Sequence, residues 1–294
     1  MAVQAGYLPD GARLHLNHGP IDLILWANSE VRELAYAQAM ARFSGLLEEL
    51  VAELPVLRSA APQAPSGPVA RAMAAAVAPY AGEFITPMAA VAGAVADAVL
   101  AAMAAVPGLT KAHVNNGGDI ACHLAGDARL SAAIAGGAAG LGLTSDQPWR
   151  GIATSGWRGR SHSLGIADAV TVIARTAAEA DAAATMIANA VDLPGHCAIV
   201  RRPARELAPD SDLGSRLVTV AVGTLSRDEV GAALDRGLAA AHRYHARGLI
   251  GAAFLSLAGE TRATESVPTA TGAAKVAAPA TVAVPAPDPE DLDA

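Results

Sequence analysis

The chain has 294 residues, two cysteines and a formal net charge of −7, with 52% hydrophobic, 17% charged and only 3% aromatic residues. With no basic stripe to neutralise phosphates and few rings on which bases stack, no nucleic-acid partner is expected. Cys122 and Cys197 are too few for a disulfide framework, and alanine, about a quarter of the chain, predicts a core packed at close range.

In chain order, the first ten residues lack the basic start and apolar run of an export signal, so a cytoplasmic protein is expected. Residues 13–27 read as two short strands broken at Asn17-His18-Gly19-Pro20. Asn28 or Ser29 then caps a long helix running to about residue 54, with Glu30 and Glu33 at the favourable end of its dipole. Residues 55–68 carry proline, serine and glycine without periodicity and read as a loop. Thr86-Pro87 is a helix start, with Thr86 as N-cap and Pro87 at the first helical position, and this helix runs to about residue 105. Residues 88–106 are almost continuously small and apolar, but Asp97 near their middle would cost about 2.5–3.5 kcal/mol in a bilayer. A buried helix of a soluble protein is the better reading, with no membrane association expected.

Strands at 111–114 and 120–124 flank the turn Asn115-Asn116-Gly117-Gly118-Asp119, and others are expected at 132–134 and 167–174. Residues 177–190 form a second alanine-rich helix. Strands near 197–201 and 217–222, a helix capped by Ser226 to about residue 247, and a strand at 252–257 follow. Residues 1–264 thus read as one α+β unit, either undivided or built of two pseudo-repeated halves, with helices packed on antiparallel sheet, and 265–294 read as a disordered Ala/Pro-rich tail. The high apolar fraction with few charges favours a homodimer over a monomer.

Several motifs are absent: there is no Gly-Lys dipeptide for a P-loop, no dinucleotide fingerprint in the Gly136–Gly142 run, which reads as a loop, and no glycine-flanked nucleophile serine. The pairs Cys122-His123 and His196-Cys197 fall on expected strands, where neighbours face opposite ways, which argues against zinc. Four segments remain. Asp181, Thr185 and Asn189, spaced i, i+4, i+8, put hard oxygen donors suited to Mg²⁺ or Ca²⁺ on one helix face, or simply form a solvated stripe. Asn116, Gly117, Gly118 and Asp119 either admit a ligand against backbone or close a hairpin. Thr154, Ser155 and Gly156 form a small hydroxyl-rich turn leading to Arg158, Arg160 and His162, an anion site or an ordinary loop. The amides after Thr86 are free to hold an anion.

Taken in order, the blocks Ile85-Thr86-Pro87-Met88-Ala89-Ala90-Val91-Ala92-Gly93, Asn116-Gly117-Gly118-Asp119-Ile120, Ala153-Thr154-Ser155-Gly156 and Ala180-Asp181-Ala182-Ala183-Ala184-Thr185 resemble an uncharacterised bacterial and archaeal family. That family is a distant branch of the ApbE-like superfamily, whose better-known members are FAD:protein FMN transferases. The resemblance covers roughly residues 13–264 and implies a T-fold-like architecture of antiparallel sheets with long helices packed on them. It implies Mg²⁺ at Asp181 and Thr185 beside a pyrophosphate, with a backbone carbonyl, here Val91, as a further ligand, and FAD or FMN as the bound flavin. His162 matches the histidine that precedes the metal helix and is the general acid–base candidate. Two departures stand out. The transferases' Gly-Ile-Ala-Lys-Gly segment is replaced by Ala89-Ala90-Val91-Ala92-Gly93, without its lysine, and the block after the histidine is shortened to residues 163–168. Three readings follow: a Mg²⁺-dependent enzyme on FAD or a related pyrophosphate-bearing nucleotide, a flavin- or nucleotide-binding module without transfer, and an enzyme of another class on a small metabolite.

Overall fold

The computed structural model describes residues 2–61, 64–134 and 140–264. Strands β1 (Gln4–Tyr7), β2 (Leu14–His18) and β3 (Ile21–Ala27) open the chain, followed by helices α1 (Arg32–Phe43), α2 (Leu46–Ala52), α3 (Leu54–Leu57) and α4 (Pro68–Val77). A 3₁₀ turn at Pro87–Ala90 leads into α5 (Val91–Ala104). Then come β4 (Lys111–Asn116), β5 (Asp119–Leu124), β6 (Arg129–Ala133), β7 (Gly140–Thr144), β8 (Gly151–Ser155), β9 (Ala169–Ala174) and α6 (Ala177–Ala190). The remainder is β10 (Ile199–Pro203), α7 (Ala204–Leu207), β11 (Leu217–Val222), α8 (Arg227–Ala246), β12 (Ala252–Leu257) and β13 (Glu260–Ala263).

Nine strands form one antiparallel sheet in the order β1-β2-β3-β4-β5-β8-β9-β12-β13. Strict alternation fixes its faces: Leu14 and Leu16 on β2, Leu23 and Leu25 on β3, and Ala112 and Val114 on β4 are buried, while the residues between them are partly exposed. Against the apolar face lie α5, over β4 and β5, and α6, over β8 and β9. The β6–β7 ribbon covers part of the other face and encloses a smaller core with Cys122, Leu124, Leu143, Ile152 and Ile173. The architecture is the expected α+β arrangement of helices on antiparallel sheet.

The apolar stretch Pro87–Ala104 is long and apolar enough to cross a bilayer, yet it packs here against α1, α6 and the sheet. Small residues make that packing possible. A Cβ on Gly93 would lie 2.6 Å from the backbone nitrogen of Ala178 and closer still to the carbonyl of Ala177, so α5 and α6 touch backbone to backbone.

Several boundaries differ from the sequence reading. The expected helix from residue 28 to 54 is two helices, α1 and α2, because Gly45 weakens a helical run and Pro55 cannot continue one. Asn28 caps neither of them; its side-chain oxygen accepts from the amides of Thr110 and Lys111 at 3.0 and 3.2 Å, pinning the end of β3 to β4. The expected loop at 55–68 contains α3 and ends where α4 begins, a helix the sequence reading omitted. The Gly136–Gly142 loop is strand from Gly140 onward, and residues 135–139 lie outside the described residues, as does the expected tail beyond residue 264. Edge strands β1 and β13, both short and polar, carry too weak an apolar period to be read locally.

Candidate functional site

The N-termini of α5 and α6 cross over the centre of the sheet, and each helix caps the other. Asp97 of α5 accepts from the first amides of α6, Ala177 N at 3.0 Å and Ala178 N at 2.9 Å. Asp181 of α6 accepts in return from the early amides of α5, with Gly93 N at 3.1 Å. Four N–H groups at a helix start have no intrahelical acceptor, and a carboxylate satisfies them while opposing the helix dipole. Inside the protein the ionised carboxylates pay a desolvation cost, and burial pushes Asp97 up to about 6 despite those amides.

Beneath this crossing the β4–β5 hairpin delivers its polar pair. Asn116 and Asp119 face one another in register, both on the helix side of the sheet and both buried. The connecting Gly117 and Gly118 take φ of +65° and +118°, a left-handed two-residue turn that glycine tolerates without strain. Asn116 Nδ2 donates to the Ala92 carbonyl at 3.1 Å, tying the hairpin to the first turn of α5. Asp119 Oδ1 accepts from the Thr154 amide at 3.2 Å, tying it to β8. Burial raises Asp119 to about 7, with the Thr154 amide and the Arg160 guanidinium pulling the other way. Burial, then the charge of Asp119, hold Asp181 well above the ordinary carboxylate range. Two carboxylates from different elements, Asp119 buried and Asp181 partly exposed, thus lie within reach of each other's charge, each making the other's ionisation harder.

Arg160 answers that charge. Its guanidinium lies directly over Gly117, where a Cβ would meet it. Arg158 points elsewhere: it stacks on Trp157 and pairs with Asp168 at 2.6 Å, so of the expected basic residues only Arg160 reaches the acidic pair.

The structure therefore brings together the Ala92–Gly93 start of α5, Asn116–Asp119, the Thr154 backbone and Asp181. Three expected details change. Thr86 does not cap with its side chain; it precedes the 3₁₀ turn, and its buried hydroxyl donates to Asp212 at 2.5 Å. Thr154 and Ser155 end a strand rather than forming a turn, so their side chains face opposite ways. The Thr154 hydroxyl meets that of Thr171 at 2.9 Å, across strands, and only its amide serves Asp119; Ser155 alternates to the helix side. Val91 begins α5, so a carbonyl there runs along the helix, and what α5 offers Asp181 is amides. Thr185 follows Asp181 by one turn on the same face and is partly buried. Asn189, a turn further, accepts from the Leu164 amide at 3.0 Å and so anchors the loop that carries His162. His162 itself is exposed. His196 lies in a turn and bonds Glu229 at 2.8 Å, away from this site.

The sequence reading treated Asp97 only as an argument against a membrane span and gave it no site role. Its signal was present: a carboxylate amid small apolar residues needs buried partners.

The chain spans about half the length of the curated relatives it matches. A UPF0280 protein of Methanopyrus kandleri is 39% identical over 154 residues, 48% of this chain and 56% of that one. A UPF0280 protein of Methanothermobacter thermautotrophicus is 37% identical over 145 residues, 47% and 55% of the two chains. Among solved structures, the apo form of the flavinyl transferase ApbE from Pseudomonas stutzeri aligns with 20% identity and a TM-score of 0.36, covering 82% of this chain and 75% of that one. The family described as AbpE bacteria matches residues 5–263, nearly the whole of the described unit. The chain belongs to that family and is ApbE-like, as its ordered motifs imply.

Proposed function

We propose that this protein binds a pyrophosphate-bearing nucleotide of the FAD type through one Mg²⁺ at the Asp181–Asp119 site. The observation that carries the reading is the pairing of two carboxylates, Asp119 and Asp181, both raised above their ordinary range, with the Arg160 guanidinium on the hairpin beside them. The donor set fits the ion: Mg²⁺ takes oxygen ligands, uses one or two carboxylates, and leaves its other positions to water and phosphate. Asp181 and Thr185 would hold it, with Asp119 as the neighbouring charge; the ion supplies Lewis-acid neutralisation of phosphate oxygens. Arg160 adds positive charge on the hairpin side, and the Gly117–Gly118 turn leaves backbone open to a ligand approaching it. Ser155 offers a hydroxyl from the helix side of β8. His162 would exchange a proton at a ring nitrogen once a ligand extends past Arg160.

A second reading, binding without transfer, is favoured by the exposure of His162 and by the alanines standing where the flavin transferases carry a lysine. One experiment addresses both. Thermal melts with FAD, with and without Mg²⁺, are expected to show Mg²⁺-dependent stabilisation of about 2.7 kcal/mol at a hundredfold excess over Kd. Asp181→Asn, which keeps the volume and one acceptor oxygen, is expected to abolish it. Release of AMP from FAD separates transfer from binding. Equal stabilisation of wild type and variant, or none in either, overturns the metal-site reading.

A further inference from the structure

Strands β10 and β11 form a two-stranded arm outside the main sheet, closed at its tip by α7 and residues 208–216. The arm is fastened to the rest of the fold at two places. On one side the Thr219 amide donates to the Ser163 carbonyl at 2.9 Å, in the loop that Asn189 anchors. On the other, Asp212 receives the Thr86 hydroxyl at 2.5 Å, and the Arg216 guanidinium lies 3.2 Å from the centre of the Phe84 ring. Thr86 leads into the turn that packs on α6. The arm consequently bridges from the His162 loop to the start of α5.

Its inner face carries an oddity. Arg201 and Thr219 are cross-strand partners, so their side chains share a face, and Arg201 bonds Asp192 just beyond the end of α6. Thr219 is only 5% exposed. Neither Arg201 Nε nor Thr219 Oγ1 has a hydrogen-bond partner, and both atoms are closed to solvent. A buried unsatisfied donor costs about 1–3 kcal/mol, so two side by side are expensive as mere structure. Asp192 already balances the Arg201 charge. What remains is a pair of donors of ordinary strength, matched to an uncharged acceptor such as a ring carbonyl rather than to a second phosphate.

We propose that the β10–β11 arm is the second half of the ligand site, Arg201 and Thr219 binding the carbonyl-bearing ring end of the nucleotide whose pyrophosphate lies at Asp181. This rests on the metal-site reading above and extends it. The spacing fits: from Asp181 to Asn189 the helix rises about 12 Å, and the arm lies beyond, so a ligand touching both ends must be of nucleotide length. Because both donors are closed off, the arm lifts to admit the ligand, and the Asp212–Thr86 and Arg216–Phe84 contacts are its releasable fastening.

The test is Thr219→Val, which keeps the shape and deletes the orphaned hydroxyl, assayed by calorimetric binding of FAD and of inorganic pyrophosphate, each with Mg²⁺. The variant without ligand is expected to melt about 2–4 °C higher, since an unpaired buried donor has gone. FAD affinity is expected to fall about three- to tenfold, one neutral hydrogen bond, while pyrophosphate affinity is unchanged. Arg201→Lys, which keeps the charge facing Asp192 but loses Nε, is expected to repeat the selective loss. If both ligands bind wild type and both variants bind FAD as tightly, the arm proposal is overturned and the metal site stands. If pyrophosphate fails to bind wild type, or binds Asp181→Asn equally well, the metal-site reading fails and takes the arm proposal with it.

Discussion

Gly93→Ala sets two physical effects against each other. Alanine is the better helix former, and in an open helical position the exchange gains about 0.5–1 kcal/mol. At Gly93 the new methyl would stand 2.6 Å from Ala178 N and nearer still to the Ala177 carbonyl. Ordinary contact begins near 3.5 Å, so α5 and α6 must part by roughly 1 Å. That separation stretches the caps that Asp97 and Asp181 make across the crossing, at 2.9, 3.0 and 3.1 Å in the native protein. Hydrogen bonds to charged groups contribute about 1.5–3 kcal/mol each, so losing two outweighs the propensity gain severalfold. The expected net cost is about 3–5 kcal/mol, or roughly a 10 °C fall in melting temperature for a domain of this size. Gly231→Ala on α8 is the control, because its Cβ would find only a side-chain nitrogen of Arg262 at 3.7 Å. Calorimetric melts of the two variants are expected to move in opposite directions. A Gly93→Ala protein as stable as wild type would refute the backbone-to-backbone crossing and the reciprocal caps with it.

Two further outcomes follow from the charges. Asp97 titrates near 6 in the folded protein, above its ordinary value, so its stabilising contribution is complete below about pH 4 and is lost as pH rises through 6. Asp97→Asn is therefore expected to flatten the pH dependence of the melting temperature between pH 4 and 6.5, by on the order of 2 kcal/mol; an unchanged slope contradicts the assignment. Arg160→Met is expected to weaken Mg²⁺–pyrophosphate binding about five- to tenfold at low salt, while Arg158→Met, whose charge already faces Asp168, leaves it unchanged. Equal effects of the two, read by calorimetric titration, would remove Arg160 from the site.

Much of the fold was legible because it is periodic. Residues 177–190 and 217–222 were read with the boundaries the structure shows, and the Ser226 cap on α8 is a full capping box with Glu229. Missed were α4, whose helical spacing of Val69, Ala70, Met73, Ala76 and Val77 sits directly behind a proline-rich stretch, and elements without a local apolar period, namely β8 with its small residues and the edges of the sheet. The site was legible as residue types, since Asp181, Asn116 and Asp119 stand out among alanines, but not as contacts. Thr154 shows the difference. Its hydroxyl was the feature that drew notice, yet strand alternation sends that group to Thr171 and leaves the backbone amide to meet Asp119.

The sequence by itself determined the class of the fold, the family, and the small residues that permit a tight helix crossing. Periodicity and composition are local properties and survive without coordinates. Only the tertiary structure decided which charges meet: Asp97 and Asp181 exchange caps across α5 and α6, Arg160 rather than Arg158 reaches the acidic pair, and Arg201 and Thr219 sit opposite one another on the arm with donors unspent. Those relations join residues far apart in the chain. Their energies depend on distance and on exclusion of water, which one-dimensional spacing does not encode.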